Sequence, residues 1–133
     1  MQSLETFLRS LEHGSETSTA VSCFADTFLA AGPNGVTVVK ATELAAALPH
    51  RKKMFEEMGC RSATLDSVSE TKLDDRYTLA EAKWRMTFAR NEAQTAEFLV
   101  GSTYIMDTSG ERKILFYLTH QDIKSLLHAE GML

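Results

Sequence analysis

Three aspartates could act as a general base, the group that removes a proton from a carbon beside a carbonyl. They are Asp26, Asp66 and Asp107. That role requires the carboxylate to lie in an apolar wall that shifts its pKa. Asp107 has a simpler interpretation, because it opens the turn Asp107-Thr108-Ser109-Gly110, where aspartate side chains bond the backbone. Asp26 lies only at the edge of an apolar stripe, so the residue types alone single out no base.

Two histidines are further candidates for polar chemistry. His50 opens the basic run His50-Arg51-Lys52-Lys53 at the start of a predicted helix. A solvated helix face is the simpler interpretation of this run, and the alternative places His50 or Arg51 at the mouth of a pocket, where it attracts an acid. His120 follows the last predicted strand, and a structural role at the final helix is favoured over a role as a base.

Large apolar and aromatic side chains recur on the inward faces of the predicted elements. Such a set is more typical of a packed core than of a partly open pocket, although methionine suits irregular ligand surfaces. Trp84 and Tyr104 are the leading pocket residues, because each carries a polar atom that needs a partner when buried. The predicted pocket residues are Phe28, Met58, Trp84, Met86, Tyr104 and Phe116, with His50 and His120 as candidates at its mouth.

Composition and motifs exclude several classes of function. The net charge of −4 argues against a general nucleic-acid binder, and no apolar run reaches the length of a membrane span. No set of His, Cys, Asp and Glu has metal-site spacing, and no phosphate loop or nucleophile elbow is present, so we expect no metal and no cofactor. Without a signal peptide, we expect a cytoplasmic protein in which Cys23 and Cys60 are buried and reduced.

Three long strands organise the second half of the chain. The segment 77–90 places Ala80, Ala82, Trp84, Met86 and Phe88 at alternate positions, as expected for a half-buried antiparallel strand. The segments 95–106 and 112–119 are apolar on both faces. Short polar connections join the three segments, which predicts two hairpins. A strand that is fourteen residues long must twist and bend in a domain of this size.

The elements that precede these strands are mostly helical. Apolar spacing predicts helices over residues 4–12 and 16–31, the second stopped by Gly32-Pro33. Residues 36–39 predict a short strand, and two short helices follow, from Thr42 to Leu48 and from Pro49 to Gly59. Residues 61–71 predict another strand, and Ile123, Leu126 and Leu127 a last helix. This order predicts one α+β domain over residues 1–133: a curved antiparallel sheet wrapped around N-terminal helices, forming a cone with an internal pocket.

With this order of elements, the sequence resembles the nuclear transport factor 2-like superfamily. This is the cystatin-like α+β group that includes ketosteroid isomerase and the SnoaL-like polyketide cyclases. The resemblance covers residues 4–129. It rests on the amphipathic segment 18–31, on GVTVV at 35–39, on AEAKWRMTF at 80–88 and on GERKILFYLTH at 110–120. These are patterns of fold rather than of catalysis. The resemblance implies a conical fold with a pocket and, often, a homodimer, but no particular chemistry.

Three functions are compatible with such a fold. The first is a protein of uncharacterised role that binds a small apolar or weakly acidic ligand and interacts with neither nucleic acid nor membrane. The second is a lyase, isomerase or cyclase that abstracts a proton in the pocket, which requires a carboxylate facing the pocket and an oxyanion donor opposite. The third is a non-catalytic interaction module whose cone is filled by side chains. We rank the three in this order.

The sequence departs from the ketosteroid isomerase pattern. That family has a tyrosine on an early helix as oxyanion donor and a basic aspartate near the first short strand. Here the first tyrosine is Tyr77, and residues 35–40 contain no carboxylate. A geometry with Asp66 or His120 as base and Tyr104 as donor has no motif to support it. We therefore expect steroid isomerisation to be undetectable.

The apolar outer face of the strands predicts a homodimer. Helices can cover only one face of the sheet, so the other face would expose Leu99, Ile105, Leu115 and Tyr117, or their neighbours if a bulge shifts the register. A contiguous patch of that kind usually marks an interface. In a twofold dimer the same patch on each copy meets itself.

Overall fold

Within residues 3–12 and 17–131, which the computed structural model describes, the chain forms four helices and six strands. Most of the helical residues precede the three longest strands. The elements in chain order are α1 (Leu4–Arg9), α2 (Thr17–Ser22), β1 (Phe24–Gly32), β2 (Gly35–Lys40), α3 (Ala41–Glu57), β3 (Cys60–Lys72), β4 (Tyr77–Asn91), β5 (Gln94–Asp107), β6 (Lys113–Thr119) and α4 (Ile123–Ala129).

The six strands form one curved sheet in the order β2-β1-β6-β5-β4-β3. All neighbouring strands are antiparallel except β1 and β6, which run parallel, so the sheet is mixed rather than wholly antiparallel. Helix α3 contacts β1 and β2 near one edge of the sheet and β3 at the other edge. The helix therefore lies across the width of the sheet. The predicted α+β class is confirmed.

Strands β4 and β5 follow the predicted alternation. The even residues of β4 from Thr78 to Phe88 are all buried, while Glu81 and Lys83 between them are exposed. The even residues of β5 from Val100 to Met106 are buried as well. Because side chains in a strand alternate between the two faces, this pattern defines an inner face that carries the core.

The predicted helix over residues 16–31 is wrong beyond Ser22. Residue 16 lies outside the described part of the chain, and α2 covers only Thr17–Ser22 before β1 begins at Phe24. Gly32 pairs with Gly35 across Pro33-Asn34, so Gly32-Pro33 closes a hairpin instead of stopping a helix. Phe24 and Phe28 fit both an apolar helical stripe and one face of a strand. The pairing with β6, far away in sequence, selects the strand.

Helix α3 is one continuous helix rather than the two that were predicted. It runs through Pro49 and ends at Glu57. Gly59 follows with a φ of 93°, a conformation that favours glycine. None of the residues of α3 is buried, although Leu44, Leu48 and Phe55 face inward and are partly covered. The helix therefore lies over the sheet without closing tightly on it.

The two terminal helices complete the core. The Ser3 hydroxyl caps α1 by accepting a hydrogen bond from the Thr6 backbone N–H at 3.1 Å. Leu8 of α1 and Leu127 of α4 are fully buried against the sheet. The Asp122 side chain caps α4, so the helix predicted near residues 123–127 is confirmed.

A row of apolar side chains crosses the outer face of the sheet. Register pairs Leu79 with Ile105, Ile105 with Phe116, Phe116 with Leu29, and Leu29 with Val38. We call these five residues the outer row; it spans five of the six strands. Leu29 and Val38 are 41% and 63% exposed, so nothing in the described chain covers that end of the row.

Candidate functional site

A cavity of about 290 Å³ lies between α3 and the inner face of the sheet. This volume is near the lower end of the range for small-molecule sites, roughly 300–1,000 Å³. Residues of α3 form one side of the cavity, and β1, β4, β5 and β6 form the other. Its aromatic lining consists of Phe24, Phe28, Phe55, Trp84, Tyr104 and Tyr117.

Tyr104 is the most deeply buried polar residue of the cavity wall. It is 2% exposed, and its ring stacks on that of Tyr117 with the centroids 5.2 Å apart. Burial and the nearby Tyr117 raise the pKa of the Tyr104 hydroxyl well above its ordinary value. Hydrogen bonds from Ser102 and Trp84 act in the opposite direction. Tyr104 therefore stays neutral and adds a buried hydroxyl to the aromatic part of the wall.

This burial predicts a loss of stability at alkaline pH. In the unfolded chain Tyr104 ionises near pH 10, whereas in the folded chain it keeps its proton. Above pH 10 the unfolded state binds fewer protons, so stability should fall by up to about 1.4 kcal/mol per pH unit. Urea unfolding at pH 9 and pH 11 should show a smaller fall for Tyr104→Phe than for the native chain. An equal fall in Tyr104→Phe and the control Tyr77→Phe would contradict the assignment.

Four of the six predicted pocket residues lie in the cavity wall, and the other two do not. Met58 follows the end of α3 and packs, partly buried, against the core. Phe116 belongs to the outer row, opposite Ile105. A bulge between Phe116 and Ile114 reverses the expected alternation, so that Tyr117 faces the cavity instead. The four residues in the wall are Phe28, Trp84, Met86 and Tyr104; their role in binding stays a prediction.

The predicted histidines lie outside the cavity wall. His50 is exposed on α3, and it is its neighbour Arg51 that lines the cavity. The Nε2 atom of His120 lies 2.7 Å from the Thr103 hydroxyl. His120 also packs over Gly101, at 3.2 Å from the position that a Cβ there would take. The sheet therefore gives His120 a structural contact rather than access to the cavity.

The three candidate aspartates also lie outside the cavity. Asp66 accepts hydrogen bonds from Arg85, the shorter at 2.8 Å. Asp107 accepts from Arg76 and from the backbone N–H of Ser109, as its predicted turn position implies. These bonds, with that of Arg76 first, lower the pKa of Asp107 to about 2. Asp26 is exposed on β1.

Glu12 is the carboxylate that lines the cavity. Its Oε2 atom accepts a hydrogen bond from the Leu65 backbone N–H at 2.7 Å and one from Arg9 at 3.0 Å. The predicted helix already contained a signal for this, because Glu12 follows Leu8 by four residues and so falls on the same apolar stripe. An acid in such a stripe is a candidate for a buried or functional position.

The described residues contain no candidate metal site. In that part of the chain no group of three or more His, Cys, Asp or Glu side chains could hold a metal ion. Cys23 and Cys60 are buried and unpaired, as predicted, and burial raises the pKa of both thiols. Among residues 3–12 and 17–131, no helix has the length and apolarity needed to cross a bilayer.

Comparisons with known proteins identify the fold. No family model matches the chain, and no curated protein matches it in sequence. A protein from Catenulispora acidiphila with a ketosteroid isomerase-like fold, solved in complex with trimethylamine, is similar over 95% of this chain and 90% of its own, with a TM-score of 0.62 and 13% identity.

Two further solved structures agree with that one. A putative polyketide cyclase from Xanthomonas campestris matches 93% of this chain and 90% of its own, with a TM-score of 0.61 and 10% identity. An NTF-2-like protein of unknown function from Shewanella oneidensis matches 79% and 83%, with a TM-score of 0.56 and 11% identity. At such identities the likeness establishes the fold and not the chemistry. The chain therefore has a cystatin-like fold, similar to that of ketosteroid isomerase-like and NTF-2-like proteins.

Proposed function

We propose that this protein is a single cytoplasmic domain over residues 1–133 that binds a small apolar or weakly acidic molecule in the cavity under α3 and acts as a homodimer. The observation that carries the proposal is the aromatic wall, in which Tyr104 is the most deeply buried polar residue. Small-molecule sites combine a mostly apolar lining with a few fixed polar groups in this way.

The packing of α3 supports ligand binding over a filled interior. Side chains of α3 and of the sheet line the same space, yet none of the residues of α3 is buried. Met86 adds an adaptable side chain to the wall. An interaction module with a filled cone would instead be expected to bury the inner face of this helix.

A fluorescent dye can test binding in the cavity. Trp84 is the only tryptophan of the chain and lines the cavity, so its emission reports on an occupant. The apolar, singly charged dye 1-anilinonaphthalene-8-sulfonate should quench Trp84 and raise the melting temperature as its concentration rises. Failure of the dye and of the neutral apolar probe 4-phenylbutan-1-ol to do either would contradict the proposed function.

A substitution that fills the cavity distinguishes this site from other apolar surfaces. Ala63 of β3 lines the cavity beside its register partner Met86 of β4. Ala63→Phe should therefore occupy ligand space and weaken dye binding by roughly tenfold or more. Thr64→Phe is the matched control, because Thr64 is exposed on the other face of the same strand. Equal dye affinity in the two variants would place the dye elsewhere.

The outer row supports the homodimer. Five apolar side chains in register across five strands form a continuous surface, and Leu29 and Val38 are exposed within it. Surfaces of this kind on a folded chain usually mark an interface. A twofold axis through the row would bring it against its own copy.

Proton abstraction is the second candidate, favoured by one observation. Glu12 and Tyr104 line the same cavity, which brings a carboxylate and a neutral hydroxyl donor into one site. This pair fits the requirement for a base and an oxyanion donor better than Asp66 or His120 with Tyr104. Glu12 is already bonded to Leu65 and Arg9, however, so we rank catalysis below binding.

A further inference from the structure

Two cations line the cavity on the α3 side. Arg51 and Lys52 both belong to the wall, and the Arg51 guanidinium lies 5.4 Å from the centre of the Phe55 ring. Neither has an ion pair within the part of the chain that the structure describes. The α3 side of the cavity wall therefore carries two positive charges that form no ion pair among the described residues.

The negative charge in the wall is already engaged. Glu12 accepts from the Leu65 N–H and pairs with Arg9, and its side chain is 21% exposed. These bonds hold the carboxylate at the α1 side of the cavity. A ligand therefore meets Arg51 and Lys52 as its available charged partners.

The rest of the wall suits a flat, apolar body. The stacked rings of Tyr104 and Tyr117 present an aromatic surface, and Phe24 meets Tyr117 edge to face at 6.4 Å. Arg51, Lys52 and these aromatic residues line the same cavity, so the cationic and aromatic parts of the wall belong to one site.

We propose that the ligand is a carboxylate with an aromatic or similarly flat apolar body, its carboxylate held by Arg51 beside Lys52 and its body lying against Tyr117 and Trp84. This rests on the proposed function of the cavity and adds the ligand class. The guanidinium fork matches a carboxylate in geometry as well as in charge. The same charges disfavour a cationic ligand of equal size.

Three probes with one body and different end groups test the ligand class. They are 4-phenylbutanoate, 4-phenylbutan-1-ol and 4-phenylbutylammonium, titrated separately by calorimetry at pH 7 and constant ionic strength. The carboxylate should bind roughly tenfold more tightly than the alcohol, and the ammonium more weakly than the alcohol. Equal affinities for carboxylate and alcohol would overturn the ligand class while leaving the cavity as a binding site.

Two variants of α3 that remove the same charge test whether Arg51 is the source of the preference for the carboxylate. Arg51→Gln should reduce the advantage of the carboxylate over the alcohol, measured within the same variant, to less than about twofold. Lys53→Gln removes the same charge from an exposed position outside the cavity wall and should keep the tenfold advantage. Equal losses in both variants would show a general charge effect and overturn the role of Arg51. Absence of binding by all three probes would overturn the proposed function along with it.

Discussion

Replacing Gly59 by alanine should lower the free energy of unfolding by about 3 kcal/mol. Gly59 has a φ of 93°, a conformation that costs other residues about 1–3 kcal/mol. A Cβ at this position would lie 2.3 Å from the carbonyl oxygen of Ala89, a backbone atom that cannot rotate away. Relieving such an overlap adds a further cost of about 1–3 kcal/mol.

The close approach at Gly59 has a structural purpose. The Gly59 carbonyl accepts a hydrogen bond from the Ala89 N–H at 2.8 Å, which fixes the end of α3 to the C-terminal part of β4. The chain passes there from α3 into β3. Because α3 forms one side of the cavity, movement of this junction would also change the shape of the site.

Urea unfolding at a fixed protein concentration can measure the effect. Gly110→Ala is the matched control, since no atom lies within 4 Å of the added Cβ and its φ is not positive. That variant should change stability by less than about 0.5 kcal/mol. If Gly59→Ala were as stable as the control, the contact between the α3–β3 junction and β4 would be incorrect.

The strands of the second half could be predicted because their signal is local. Residues 80 to 88 of β4 alternate between apolar and polar side chains, and each apolar one is buried. One face of this strand packs on the core while the other meets solvent. Apolar and polar residues therefore alternate in the sequence with a period of two. The hairpin turns also carry their own chemistry, as the bonds of Asp107 to Ser109 show.

The first strand could not be predicted in the same way. Its residues Phe24 and Phe28 satisfy a helical stripe as well as a strand face, and short segments of this kind are ambiguous. The deciding interaction is the parallel pairing with β6, some ninety residues later. Long-range pairing of this type leaves no mark in a window of local sequence.

A single bulge explains why Phe116 lies outside the cavity wall and Tyr117 lies in it. Alternation from Ile114 predicts that Phe116 points inward, but one bulge in β6 moves Phe116 outward and Tyr117 inward. A register shift of one residue exchanges the two faces of a strand. The prediction of the outer face allowed for a bulge, whereas the prediction of the cavity wall did not, and so Tyr117 was missed there.

Introducing a charge into the outer row should convert a dimer of about 30 kDa, or two chains of 14.8 kDa, into a monomer. Leu29→Glu is the sharpest change, since Leu29 lies between Phe116 and Val38 in the row and is 41% exposed in the single chain. Twofold symmetry places the substitution in the interface twice, so two unpaired carboxylates would be desolvated. The dissociation constant of the dimer should rise roughly 100-fold or more.

Sedimentation equilibrium at micromolar concentration can measure this change. Leu73→Glu is the matched control, because Leu73 is 52% exposed but lies in the β3–β4 connection, outside the row. That variant should remain a dimer, and both variants should keep their secondary structure by circular dichroism. A native chain that sediments as a monomer would contradict the proposed dimer. A Leu29→Glu variant that remains a dimer would move the interface away from the outer row, and the exposure of Leu29 and Val38 would then need another explanation.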